Sequence, residues 1–257
     1  MLISLCIPTK NRYDNFLSKY LDKYIDFVNE GIIDEIIIVD ETGDDYNKIY
    51  KKYNETISLL QAKFRIYKND KILGVFLNKY KVCMLANNNY IALIDSDNFC
   101  DKSYFETAKK YIIHNTDKIL EQTFILAPCI GETYFNFSDY TSEPITKHNL
   151  NIYFSKSNIG VLLNTGNYIL TKKIISEINI SNINPVLDKI TACDVMYFLL
   201  LVFQQFNNFK FIVVKDMKYL HNVHNDSEYI KTNKKCIFFR DKYIKPAFFA
   251  LSKKNNN

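Results

Sequence analysis

The chain has 257 residues, of which 47% are hydrophobic and 24% charged, and its 33 Lys and Arg against 28 Asp and Glu leave a net charge of +5. Those values exclude disordered and collagen-like architectures and suit one large domain or two small ones. Only six residues are glycine, where average usage of about 7% would give roughly eighteen. They form no G-x-G, and no two stand five apart ahead of a Lys, so the glycine-built dinucleotide fingerprint and the P-loop are both absent. A phosphate-bearing ligand must instead be met by a metal ion, by basic side chains or by a helix N-terminus.

Three of the cations are Arg (Arg12, Arg65 and Arg240), too few forks for base or phosphate readout, so no nucleic-acid partner is expected. Cys6, Cys83, Cys100, Cys129, Cys193 and Cys236 form no C-x-x-C pair and sit mostly in apolar runs. They read as reduced core residues of a cytoplasmic protein, without structural zinc. No apolar run approaches a membrane span, and the N-terminus opens straight into strand-like MLISLCIP.

In chain order, LISLCI (Leu2 to Ile7) reads as a strand ended by Pro8, and Asp14 to Asn29 as a helix with Phe16, Leu17, Tyr20, Leu21, Tyr24 and Phe27 on one face. EIIIVD (Glu35 to Asp40) is a second strand, followed by the turn ETGDD and a helix over Tyr46 to Ala62. FRIY (Phe64 to Tyr67), a helix from Leu73 to Ala86 and the strand YIALID (Tyr90 to Asp95) complete four strands joined by three helical crossovers, the pattern of a parallel sheet covered on both faces. Beyond Asp97 the spacing predicts a helix over Ser103 to His114, a strand FILAPC (Phe124 to Cys129) and an aromatic, polar stretch from Gly131 to Ser155. A strand-like run through Gly160 to Leu170, an apolar helix over Thr191 to Phe206, a strand FKFIVV and a C-terminal helical stretch follow. No repeat or linker divides the chain. It reads as one continuous α/β domain whose terminal KKNNN frays.

In parallel sheets ligands bind beyond the carboxyl ends of the strands. Here those ends carry Pro8-Thr9-Lys10-Asn11-Arg12, Asp40-Glu41 and Asp95-Ser96-Asp97. Two acids two residues apart at a buried strand end are costly unless a cation meets them, and a hard divalent ion accepts carboxylate oxygens; the competing reading of Asp95 and Asp97 is a turn that caps the helix near Ser103. Asp40 either accepts a hydrogen bond from a ligand or initiates the ETGDD turn. Asp194, in TACDVMYFLLL, is either functional or a charge favoured by the start of its helix. His221 and His224, in YLHNVHNDSEY, lack the Glu and the spacing of a metalloprotease helix.

Taken together, in this order and spacing, these segments resemble the inverting family 2 glycosyltransferases of GT-A fold. LCIPTKNRYDNF resembles that family's first strand and turn, DEIIIVDETGDD its second strand with a Val-Asp-Asp-Gly-Ser-like turn, and LANNNYIALIDSDN its block ending in the DXD motif; Gly74-Val75 falls where a Gly-Val precedes the family's helix. The likeness is dense from Leu2 to about Phe105 and sparse beyond. It departs at Tyr80, where an Asn is usual, at Lys79 in an Arg position, at Asn98 and Glu41 in Asp positions, and at Cys193, which stands in place of the Glu before Asp194.

The resemblance implies a transferase moving a hexosyl or N-acetylhexosaminyl unit from a nucleotide-diphosphate donor, a UDP-sugar first, to a hydroxyl of a glycan or other acceptor. The nucleotide sugar would meet Pro8, Thr9, Asn11, Arg12, Asp40, Lys79, Asp95 and Ser96. A divalent metal, Mn²⁺ or Mg²⁺, would bind Asp97 and His224, and Asp194 would be the catalytic base. Residues 1–100 would form the donor half, 101–235 the acceptor half and 236–257 a C-terminal helix and tail. Tyr134, Phe135, Phe137, Tyr140 and Tyr153 either stack on an acceptor sugar or close a core. The aromatic and basic end, CIFFRDKYIKPAFFALSKK, suits peripheral membrane contact or a homodimer, or docks onto its own domain. A non-catalytic relative that binds a nucleotide sugar or a partner is the alternative that Tyr80, Asn98 and Cys193 motivate.

Overall fold

The computed structural model describes residues 1–115, 123–132, 134–154 and 158–254. The parallel pattern appears as β1 (Ile3–Thr9), β2 (Glu35–Asp40), β3 (Phe64–Lys68) and β4 (Tyr90–Leu93), joined by α1 (Ser18–Asn29), α2 (Asp44–Leu60) and α3 (Val75–Met84). β5 (Phe124–Glu132), β6 (Phe135–Asn136), β7 (Tyr168–Thr171) and β8 (Lys210–Leu220) extend the same sheet, in the order β3-β2-β1-β4-β7-β5-β6 with β8 on β5. β7 runs antiparallel to both β4 and β5, and β8 is parallel to β5. The result is a mostly parallel mixed sheet in a single domain.

Alternation along each strand feeds two cores. Ile3, Leu5 and Ile7 of β1 with Ile36 and Ile38 of β2 meet Leu21, Tyr24 and Val28 of α1 and Tyr104, Phe105 and Ala108 of α4 (Lys102–His114). The i, i+3, i+4, i+7 spacing of Leu21, Tyr24, Ile25 and Val28 puts these residues on one buried stripe. On the opposite face, Cys6, Ile37 and Val39 pack with Phe76, Val82 and Cys83 of α3 and with the helix Asp194–Gln205. Asp101 starts α4 as a cap, its Oδ1 accepting the Tyr104 N–H at 3.1 Å.

The structure departs from the sequence reading in several places. β1 is not ended by Pro8 but runs on through Thr9, and the two residues pair with Val39 and Asp40 of β2. β4 stops at Leu93, and Ile94 makes one last bond to the Cys6 carbonyl before the chain turns. The run through Gly160 to Leu170 is not one strand: Ile159–Leu162 is a helical turn, and the strand begins only at Tyr168, after Asn167 in the left-handed region at φ 62°. The cysteines are not all reduced. Cys193 and Cys236 form a disulfide with their Cα atoms 5.6 Å apart, while Cys6, Cys83, Cys100 and Cys129 are free and buried. The two partners are 43 residues apart and neither lies in a C-x-x-C, so sequence spacing gave no signal, and the inference to a reducing compartment loses its basis. Among the described residues no helix is long and apolar enough to cross a membrane. Of the terminal KKNNN, residues 255–257 lie outside the described residues, as does Ser155 at the end of the aromatic stretch.

Candidate active site

The carboxyl ends of β1, β2 and β4 meet at one edge of the sheet, and two charged clusters form there. In the first, Lys79 projects from α3 and places its Nζ 2.8 Å from Asp95 Oδ1 and 2.9 Å from Asp194 Oδ2. The side chains of Lys79 and Asp194 are only 14% and 8% exposed, so this ammonium is the counter-ion that lets two carboxylates sit at the end of a buried strand. Burial works to lower the lysine pKa, but Asp194 and then Asp95 outweigh it and hold the ammonium protonated well above its ordinary range.

In the second cluster, Asp97 Oδ2 lies 3.0 Å from His224 Nε2 and 4.0 Å from Arg12 Nε. The imidazole leans on Phe16, with ring centroids 4.5 Å apart. His221 points elsewhere: its Nδ1 meets the Tyr219 hydroxyl at 3.1 Å, its ring packs on Phe135, and burial depresses its pKa. The pair Asp97 and His224 therefore converges, whereas His221 does not join it. Among the described residues no three His, Cys, Asp or Glu side chains converge as a ready metal cage. Two converging ligands with the carboxylate 22% exposed fit a hard cation that keeps its other positions for waters and phosphate oxygens, and His224 Nδ1 is buried without a hydrogen-bond partner.

Several predicted residues are engaged otherwise. Asp40 is fully buried, its Oδ1 accepting the Thr42 N–H at 3.1 Å and its Oδ2 the Tyr46 N–H at 2.9 Å. Burial raises its pKa against these two bonds. Both oxygens thus make the bonds of the turn reading. Pro8 and Thr9 are buried at the end of β1, and the Thr9 hydroxyl donates to Asp45 Oδ2 at 2.5 Å. Asn11 is exposed at φ 54°, and Ser96 is buried in the turn between the two acids.

Other residues escaped the sequence reading. Asp45 accepts from the Thr9 hydroxyl and from the backbone N–H of Arg12 (2.9 Å) and Tyr13 (3.0 Å), which fixes the whole Thr9–Tyr13 turn. Its only signal was the second acid of ETGDD. Asn167 Oδ1 accepts the Asp95 N–H at 2.9 Å, and beside it Gly166 leaves room for the carboxylate, since a Cβ there would stand 3.1 Å from Asp95 Oδ2. Asn222 donates its Nδ2–H to the Asp97 carbonyl at 2.5 Å and its N–H to Asn98 Oδ1 at 3.0 Å.

The departures from the family pattern have structural partners here. Asn98 ties the loop that carries His224 to the acidic turn. Glu41 Oε1 accepts the N–H of Leu73 (2.8 Å) and Gly74 (2.6 Å), and so fixes the entry to α3. The Tyr80 hydroxyl donates to the Ile175 carbonyl at 3.2 Å. Cys193 is in the disulfide. In the aromatic stretch Phe137, Tyr140 and Tyr153 are core residues, while Tyr134 is exposed and Phe135 half-buried against His221. Three of those five close a core.

A mostly parallel sheet of this order, with acids, a lysine and a histidine gathered beyond β4, is a GT-A fold. The chain belongs to glycosyl transferase family 2, whose sequence model matches residues 4–173. An uncharacterised glycosyltransferase of Mycoplasma genitalium is 27% identical over 112 residues, which is 43% of this chain and 37% of that protein. Among solved structures, S. aureus TarS 1–349 has a TM-score of 0.60 at 15% identity, covering 86% of this chain and 60% of that one. The same stretch of TarS in complex with UDP-GlcNAc has a TM-score of 0.62 at 14% identity, covering 89% and 60%. This chain thus spans less than two thirds of the length of each of these relatives. Asp194 and His224 lie beyond the family match, and only the geometry joins them to it.

Proposed function

We propose that the protein is a metal-dependent, inverting glycosyltransferase that takes a hexosyl or N-acetylhexosaminyl unit from a UDP-sugar to a hydroxyl of a glycan or other acceptor. The observation that carries this reading is the convergence of Asp194, from beyond the family match, on Lys79 and Asp95 within it. TarS structures hold UDP and UDP-GlcNAc, which supports a uridine donor.

In this reading the nucleotide lies over the strand ends, along the Pro8–Arg12 turn that Asp45 holds, with Thr9, Asn11, Arg12 and Ser96 on its border. Asp40 shapes the turn beneath the base. Asp95 keeps Oδ2 for a ribose hydroxyl, in the space left by Gly166. Asp97 and His224 would hold a divalent cation, Mn²⁺ or Mg²⁺, which when bound supplies positive charge against the leaving diphosphate. Arg12, beside Asp97, adds a second positive group on that side. Asp194 takes the proton from the acceptor hydroxyl as that oxygen attacks the anomeric carbon on the face away from the diphosphate, which inverts the centre. Lys79 fixes the base relative to the donor-side acid.

Titration calorimetry with UDP tests the donor half. Binding should tighten at least tenfold with Mn²⁺ over chelator, and Asp97→Ala should abolish that gain; equal affinity in both conditions defeats the metal assignment. Asp194→Asn should keep donor binding within about twofold and lower transfer about a thousandfold. Transfer at the wild-type rate would place the base elsewhere, and a wild type that binds UDP but neither transfers nor hydrolyses any donor would favour the non-catalytic reading.

A further inference from the structure

The net charge of +5 is concentrated at one end. Residues 228–257 contain eight Lys and Arg against Glu228 and Asp241, so this stretch carries +6 and the 227 residues before it carry −1. Its described part is the helix Glu228–Phe239, a π-helical turn Arg240–Ile244 and the helix Lys245–Lys254. One side of this rod is core, where Cys236, Phe239, Ile244 and Phe248 are at most 2% exposed. The other side leaves large apolar groups in solvent: Phe238 is 61% exposed, Phe249 52% and Tyr243 45%.

Lysines lie against these rings. Lys242 Nζ is 5.2 Å from the centre of the Phe238 ring and 5.5 Å from that of Tyr243, and Lys253 Nζ is 4.4 Å from that of Phe249. Rings beneath ammonium groups are what a helix lying in the plane of a bilayer surface presents: the rings enter the boundary between headgroups and acyl chains while the lysine stems reach back to the phosphates. A second copy would bring the same dense positive charge to the contact, which opposes pairing through this face. Double-stranded nucleic acid offers no apolar layer for three exposed rings.

We infer that this face docks on an anionic lipid bilayer. Each lysine near such a surface contributes about fivefold in affinity, and the rings add apolar burial that a soluble polyanion does not offer. The rod is also tied to the reaction centre, because Cys236 on its inner side is disulfide-linked to Cys193, the residue before Asp194. Docking would therefore hold the base-bearing side of the domain near the membrane. The inference stands independently of the donor assignment, since its test reads binding alone.

Co-sedimentation with vesicles of phosphatidylcholine, with and without phosphatidylglycerol, is the experiment. The full chain should bind the anionic vesicles at least tenfold more tightly than the neutral ones. F238S/F249S should lose about tenfold or more, and K234Q/K242Q/K253Q about a hundredfold at low salt. All five positions are exposed, and unchanged melting curves would show that the variants fold. Equal binding to neutral vesicles, or variants that bind like wild type, would overturn the inference. So would absence of vesicle binding together with a dimer in sedimentation velocity that F238S/F249S dissolves.

Discussion

Replacing Lys79 by Met keeps most of the side chain's reach and removes the ammonium from between Asp95 and Asp194. The two contacts, at 2.8 and 2.9 Å, are each worth about 6 kcal/mol by Coulomb's law at an effective dielectric constant of about 20. The loss in stability has a lower ceiling, because the variant can protonate one of the stranded carboxyl groups. From an ordinary carboxyl pKa near 3.9, holding that proton costs about 4 kcal/mol at pH 7 and about 1.5 kcal/mol at pH 5. The first value falls within the range of about 3–5 kcal/mol for breaking a buried pair from one side. In the variant the carboxyl pKa is higher folded than unfolded, so the native state binds more protons and its stability falls as pH rises above the unfolded value. In the wild type the Lys79 pKa is raised, so its contribution is fully present below the ordinary lysine value and constant from pH 5 to 7. Urea unfolding at the two pH values should therefore show a gap between variant and wild type near 4 kcal/mol at pH 7 that narrows to about 1.5 kcal/mol at pH 5. Adding Asp194→Asn to Lys79→Met should restore at least half of the loss at pH 7. A gap that does not change with pH, or one under about 1 kcal/mol at pH 7, would refute the ion-paired geometry.

Gly166→Ala puts a Cβ 3.1 Å from Asp95 Oδ2, so UDP affinity should fall about tenfold in calorimetry while the melting temperature shifts little; unchanged affinity would mean that Asp95 Oδ2 does not face the donor. Asp45→Ala removes the acceptor for Thr9, Arg12 and Tyr13, and urea unfolding should register a loss of about 3 kcal/mol along with weaker UDP binding. Alkylation of the denatured, unreduced protein should add four labels in mass spectrometry, because two of the six cysteines are joined. Six labels would remove the disulfide. Closing its loop of 43 residues stabilises by about 4 kcal/mol in the chain-entropy account, so a dithiol reductant should lower the melting temperature.

The first half of the fold was legible because its strands are short apolar runs of fixed spacing whose ends carry the polar residues. Lys10 to Arg12 and Asp95 to Asp97 fall beyond the strand ends, as the alternation expects, whereas Pro8 and Thr9 still belong to β1. Asp194 and His224 came only through resemblance, since a helix-start acid and a histidine in a loop have no local pattern that separates function from decoration. Asp40 shows why a polar strand end is ambiguous: the residue type that would accept a bond from a ligand also accepts one from the next turn, as both of its oxygens do here. Asp45, Asn167 and Asn222 were illegible because each acts through backbone groups distant in sequence, and side-chain to backbone bonds leave no periodic trace. The strand through Gly160 to Leu170 failed at Asn167, whose left-handed backbone no hydrophobic count detects. The disulfide joins two apolar segments by tertiary packing alone.

The reversal of β7 has a consequence for how this protein is made. Because that strand enters the sheet against the direction of β4, its first residues arrive beside the end of β4, bringing Gly166 and Asn167 to Asp95. The edge is then finished by Asp194 and by His224, on the order of a hundred residues after the acids they serve. Among the described residues, the first hundred supply Lys79 and Arg12 as the cationic partners of these two neighbouring carboxylates. Every truncation that stops short of residue 224 leaves that edge incomplete, so the capacity to bind a donor should appear late and abruptly in synthesis rather than grow with length.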